Sequence, residues 1–96
     1  MGAGTTEERR ASLQIRNKLG LHARAAAMLV QTANRFDAEV TVAKDGQIVN
    51  GRSIMGVMML AAEQGSEIAV TTTGPQAAEA LEAISQLVDA GFNEPQ

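Results

Sequence analysis

The chain has no cysteine, tryptophan or tyrosine, and its 96 residues include one histidine, two prolines and two phenylalanines. Without cysteine there is no disulfide, no thiol nucleophile and no thiolate metal site, which fits a reducing compartment. A single histidine would leave a zinc site to carboxylates almost alone, so no zinc site is expected. No apolar run approaches the ~20 residues of a membrane span. With Phe36 and Phe92 as the only aromatics, aliphatic side chains, alanine and methionine have to build the core. What is present is an ordinary globular balance, 45% apolar and 20% charged residues, enough for one small domain around one core.

The formal charge of −3 argues against a general nucleic-acid binder. It hides a split. Residues 1–53 hold all eight basic side chains (Arg9, Arg10, Arg16, Lys18, Arg24, Arg35, Lys44 and Arg52) against five acids, whereas residues 54–96 hold six acids and no base. A cationic half around the only histidine points to a local anion or an acidic partner. Met1-Gly2 with Thr6 fits an acylation pattern, but no lysine-rich stretch supplies a second membrane signal, so no lipid anchor is expected. No hydrophobic signal segment or arginine-rich transit helix is evident, which makes the cytoplasm the expected location.

Two hydrophobic periods alternate along the chain. Residues 1–10 show neither and read as a loose tail. Ala11, Leu13 and Ile15 interleave with polar residues as in a half-buried strand. Ala26, Leu29, Val30 and Ala33 then share one face of a helix of roughly three turns. Ala38, Val40 and Val42 alternate again, and Asp45-Gly46 supplies a hairpin turn into a short Ile48-Val49 strand. Ser53 is placed to cap a second helix with Ile54, Val57, Met58 and Ala61 inward, stopping near Gly65, and with Met55, Met59 and Leu60 outward. Ile68, Val70 and Thr72 make a fourth strand. A last helix begins around Pro75, buries Ala77, Ala80, Leu81, Ile84, Leu87 and Val88, and ends at Gly91. The order is βαββαβα, a sheet covered by helices on one face.

His22 falls where the Gly20-Leu21 loop meets the first helix. A helix start offers unpaired N–H groups and the positive end of the dipole, a ready cradle for an anion. Imidazole is substantially neutral and nucleophilic near neutral pH and forms covalent intermediates. Arg24, two residues on, could offer a forked donor pair to the same oxyanions. From spacing alone, a lone histidine near a helix start is more often a helix cap or a surface residue.

The segment Asn17-Lys18-Leu19-Gly20-Leu21-His22-Ala23-Arg24 resembles the active-site segment of HPr, the histidine phosphocarrier of the bacterial phosphoenolpyruvate-dependent phosphotransferase system. Gly51-Arg52-Ser53-Ile54-Met55-Gly56-Val57-Met58-Met59-Leu60 resembles that family's regulatory-serine segment. Phe36-Asp37-Ala38-Glu39-Val40 and Thr73-Gly74-Pro75-Gln76 resemble its nitrogen-related branch. The resemblance implies an HPr-like open-faced sandwich over residues 11–92, with a four-stranded antiparallel sheet, three helices on one face, and 93–96 as a C-terminal tail.

The same resemblance implies a carrier rather than a turnover enzyme, with no metal or organic cofactor of its own. His22 would accept a phosphoryl group on Nδ1 from phospho-enzyme I and pass it to a histidine of an IIA-type protein. Arg24 would stabilise the phosphate, and Ser53 would be the regulatory site of an HPr kinase/phosphorylase. Ala23, Ala27, Ile54, Met55, Met58 and Met59 would form the docking surface of a monomer. Ala25 stands where most of the family has proline, so a looser first helical turn is expected. A regulatory adaptor acting through phosphorylated Ser53 is the alternative. An unrelated metal-chaperone module is disfavoured by the absence of cysteine.

Overall fold

A computed structural model describes residues 7–95; the acylation-pattern residues Met1, Gly2 and Thr6 lie outside them. The elements are β1 (Glu8–Gln14), α1 (Ala23–Ala33), β2 (Glu39–Lys44), β3 (Gln47–Asn50), α2 (Ile54–Met59), β4 (Glu67–Thr73) and α3 (Ala77–Asp89), followed by a short turn at Gly91–Asn93. The strands form one antiparallel sheet in the order β1-β4-β2-β3. The order expected from the hydrophobic periods is therefore the observed one.

Alternation sets the layers. Val40 and Val42 of β2, with Ile68, Val70 and Thr72 of β4, are buried under the helices, while Glu39, Thr41 and Glu67 on the opposite face are exposed. From α1 the expected Ala26, Leu29, Val30 and Ala33 are buried, together with Ala25. From α3 the buried residues are Ala77, Ala80, Ile84 and Val88, with Leu81 and Leu87 packed at the margin. At the β2–β3 hairpin, Asp45 and Gly46 have φ of 50° and 85°, the paired positive values that a tight two-residue turn requires.

Five expectations need correction. β1 starts at Glu8, inside the segment read as a tail, with Glu8 paired to Thr73 and Arg10 to Thr71. An edge strand needs only backbone partners, and its charged side chains left no apolar trace. α2 ends at Met59 rather than near Gly65, because Ala61 turns to a φ of 50°. Only Val57 of its expected inner face is buried; Ile54 and Met58 are about as exposed as each other, Ala61 lies outside the helix and is exposed, and Leu60, expected outside, is buried. Pro75 precedes the N-cap, Gln76, instead of sitting in the first turn of α3. Finally, methionine contributes little to the core: Met28 packs only at its margin and Met55, Met58 and Met59 are exposed, whereas Phe92 is the largest fully buried side chain.

Candidate functional site

The loop before α1 is held from both sides. Leu21 is buried and its N–H donates to the Ala62 carbonyl at 2.9 Å. Gly20 has a φ of +67°, and a Cβ there would stand 2.3 Å from that same carbonyl oxygen. Only glycine allows this approach. Asn17 is fully buried, and its Nδ2 donates to the Gly20 carbonyl at 2.8 Å and to Oε1 of Glu94 at 3.1 Å. The loop therefore delivers His22 to the start of α1 in one conformation.

His22 is the N-cap of α1, with extended backbone (φ −75°, ψ −177°). Its carbonyl accepts from Ala26 N at 2.8 Å, and its Nδ1 accepts from Arg24 N at 3.3 Å. Nε2 lies 2.5 Å from Oε2 of Glu94. A backbone N–H can only donate and a carboxylate only accepts, so these partners assign the lone pair to Nδ1 and the proton to Nε2. The long contact to Nδ1 leaves its lone pair weakly engaged, facing the N–H groups of the first turn. The cap forms with alanine at position 25, the third residue of α1, where an N–H has no acceptor within the helix anyway.

Arg24 lies across the site. Its Nη1 donates to the Phe92 carbonyl at 3.3 Å and to Glu94 Oε2 at 3.1 Å. Its side chain is half exposed, that of His22 is 28% exposed and that of Glu94 only 10%. The His22 hydrogen bond is the main influence holding the Glu94 carboxyl below its ordinary 4.5; the Asn17 bond and the charges of His22 and Arg24 act the same way, against desolvation. An open groove beside the histidine is lined by Lys18, Leu19, His22, Arg24, Glu94 and Pro95.

Glu94 and Phe92 are what sequence reasoning missed, since both follow the expected end of the last helix. The signal available was an apolar residue directly after Gly91, the pattern of a chain folding back at a helix C-terminus. Asn17 stood in a quoted motif without a role. Among the described residues, no group of three or more histidine, aspartate or glutamate side chains could hold a metal, and no helix is long and apolar enough to cross a membrane.

The other expected residues lie beside this centre. Ser53 is the N-cap of α2, its Oγ accepting from Gly56 N at 3.0 Å. α2 packs against α1, and Met55 and Met59 are 74% and 66% exposed, with Ile54 and Met58 partly so. Ala23 is exposed in the first turn of α1 and Ala27 is half-buried. Leu19, 69% exposed on the loop, is a further apolar residue of this end that the sequence reading did not single out.

A model of the phosphotransferase-system HPr family, described as the PTS HPr component phosphorylation site, matches residues 9–90. The chain belongs to the HPr family of phosphocarrier proteins. It is similar to the phosphocarrier protein HPr of Neisseria meningitidis, 51% identical over 83 residues that cover 86% of this chain and 93% of that one. It is also similar to the HPr-like protein Crh of Halalkalibacterium halodurans, 46% identical over 80% of this chain and 92% of that one. Among solved structures, an HPr from Thermoanaerobacter tengcongensis superimposes with a TM-score of 0.88 at 40% identity, covering 92% of this chain and 99% of that one. The HPr fold, a four-stranded antiparallel sheet with three helices, is thus this chain's fold.

Proposed function

We propose that His22 is the phosphoryl-carrying residue of this HPr-family protein. The observation that carries the reading is the place of His22 at the α1 N-terminus, where its Nδ1 accepts only the long bond from the Arg24 N–H while Glu94 faces its Nε2. Nδ1 attacks the phosphorus of phospho-enzyme I, the Nδ1–P bond forms as the bond to enzyme I breaks, and no proton leaves the ring. The phosphoryl oxygens then meet first-turn N–H groups, and the half-exposed Arg24 guanidinium turns from the Phe92 carbonyl and Glu94 to join them, an arrangement that stabilises phosphate. Transfer to a histidine of an IIA-type protein is the same exchange in reverse, so the protein is a stoichiometric intermediate and needs no cofactor of its own.

The exposed Met55 and Met59, with Ile54, Met58, Leu19, Ala23 and Ala27, make an adaptable apolar surface around the site that suits a carrier meeting two partners. Ser53 lies on the same surface. A phosphate there would suit the helix start but would add roughly −1.5 to −2 charge where partners dock. The Phe36–Val40 and Thr73–Gln76 segments support the nitrogen-related branch, hence a regulatory output. The likeness to Crh supports the adaptor reading through Ser53 as the second one.

The test is intact mass after incubation with phosphoenolpyruvate and a nitrogen-type enzyme I. One acid-labile phosphate on the wild type and none on His22→Ala is the expected result. No phosphate on the wild type, with an enzyme I active on a known carrier, refutes the carrier reading. The same assay with ATP and an HPr kinase, comparing Ser53→Ala, then tests the adaptor.

A further inference from the structure

The segment after α3 is built at a cost that packing alone does not explain. Gly91, Phe92 and Asn93 have φ of 62°, 55° and 60° in succession, a left-handed turn that is unfavourable for each residue with a Cβ, and more so for a bulky aromatic. The turn is clamped at both ends. Phe92 is fully buried in the core, and Glu94 is held by His22, Arg24 and Asn17. Arg24 also donates to the Phe92 carbonyl. Asn17 spends its amide group on Glu94 and the Gly20 carbonyl, leaving its own buried Oδ1 without a partner among the described residues. Strain, burial and an unsatisfied acceptor thus all go to holding one carboxylate against the ring nitrogen opposite Nδ1.

We propose that Glu94 is the positioning residue of His22: it fixes the ring with the proton on Nε2 and pairs with the positive charge the ring acquires when Nδ1 takes a phosphoryl group. The proposal rests on His22 being the carrier residue. When Nδ1 bonds to phosphorus the Nε2 proton stays, so a neutral imidazole becomes an N-phosphoryl imidazolium. The Nε2–H bond to Glu94 then changes from one with a neutral donor to one between opposite charges, which is stronger. Phosphate and carboxylate occupy opposite sides of the ring, so both can be held at once. Glu94 therefore lowers the energy of the phosphorylated state relative to the free one, and so tunes how readily the group is handed on.

The experiment is a partition. Wild type and Glu94→Ala are mixed in equal amounts with catalytic enzyme I and limiting phosphoenolpyruvate, and phosphate on each is read by intact mass at equilibrium. The wild type is expected to hold about fivefold more, a fraction of what a full charge-assisted bond is worth. Glu94→Gln, whose amide oxygen still accepts from Nε2–H without the charge, is expected to fall between. Proton-nitrogen NMR of the ring is expected to show a slowly exchanging Nε2 proton in the wild type and its loss in Glu94→Ala. Equal partition in both variants, with circular dichroism matching the wild type, overturns the proposal. Phosphate on His22→Ala in the same assay would instead overturn the assignment of the carrier residue. A Glu94→Ala that unfolds leaves the Gln variant to decide.

Discussion

Gly20→Ala should be among the most damaging single-methyl additions this chain can receive, and the geometry says by how much. Two costs combine. The first is conformational: alanine at a φ of +67° costs about 1–2 kcal/mol, of which about 0.4–1 kcal/mol returns through a less flexible unfolded chain. The second is steric. The new Cβ would lie 2.3 Å from the Ala62 carbonyl oxygen and 3.0 Å from the Glu63 Cα, both backbone atoms that cannot swing aside. The loops must separate, and with them goes the 2.9 Å bond from Leu21 N to that same carbonyl, leaving buried polar groups unpaired at about 1–3 kcal/mol.

The sum is about 3 kcal/mol. Gly65 supplies the control: its φ is +90°, but nothing lies within 4 Å of an added Cβ, so Gly65→Ala carries only the conformational cost, about 1 kcal/mol net. For a domain of this size Gly65→Ala should melt about 5 °C and Gly20→Ala about 15 °C below wild type. Far-ultraviolet circular dichroism is the assay, since the chain has neither tryptophan nor tyrosine. Equal melting temperatures for the two variants would refute the reasoning, because the Ala62 contact would then carry no weight. Surviving Gly20→Ala protein should also accept phosphate more slowly, the loop being what sets His22 in place.

Phe92→Ala should cost about 3–5 kcal/mol in urea unfolding as a core truncation, whereas Phe92→Leu keeps most of the volume and should lose less. Ser53→Ala removes the acceptor of the Gly56 N–H and should cost about 1 kcal/mol, whereas Ser53→Asp keeps a capping oxygen and should stay near wild type in stability while slowing phosphorylation by enzyme I. Glu94 titrates below 4.5 in the folded chain, chiefly through its hydrogen bond to His22, so its contribution is fully present above that pH and is lost as the pH falls through the depressed value. The stability gap between wild type and Glu94→Gln should therefore narrow as urea titrations move from neutral pH into acid below 4.5; a gap that widens there would refute the assigned partners.

The parts legible in the sequence are those where one face of an element meets the core. Ala26, Leu29, Val30 and Ala33 in α1, and Ile68, Val70 and Thr72 in β4, announce their period because burial selects for it. α2 is harder to read because its outward side is apolar too: Met55 and Met59 stand in solvent, so the hydrophobic pattern there mixes exposed side chains with core ones and runs on past the end of the helix at Met59. β1 was underestimated for the opposite reason, its first residues being charged and paired through backbone alone. The carboxylate of the site was invisible because nothing periodic leads to it. Ala90 and three left-handed residues separate α3 from Glu94, and such a reversal is written in conformation rather than in hydropathy.

Both helices that flank the apolar surface begin on a side-chain cap, His22 for α1 and Ser53 for α2, and these caps are the two residues proposed to take phosphoryl groups. The coincidence has a physical basis, since an N-cap side chain is aimed at unpaired N–H groups that would next serve phosphate oxygens. The two caps are not chemically alike. Serine is a strong cap, and its Oγ takes a 3.0 Å bond from Gly56; as a hydroxyl it is a weak nucleophile until a base takes its proton, so its modification requires a dedicated kinase. Histidine is not among the preferred caps, and its Nδ1 takes a longer 3.3 Å bond from Arg24. That weakness is useful: the lone pair that caps poorly is the one left free to attack phosphorus. What the helix start loses in cap strength is made up from outside the helix, by the carboxylate of Glu94 on Nε2 and by Asn17 behind it.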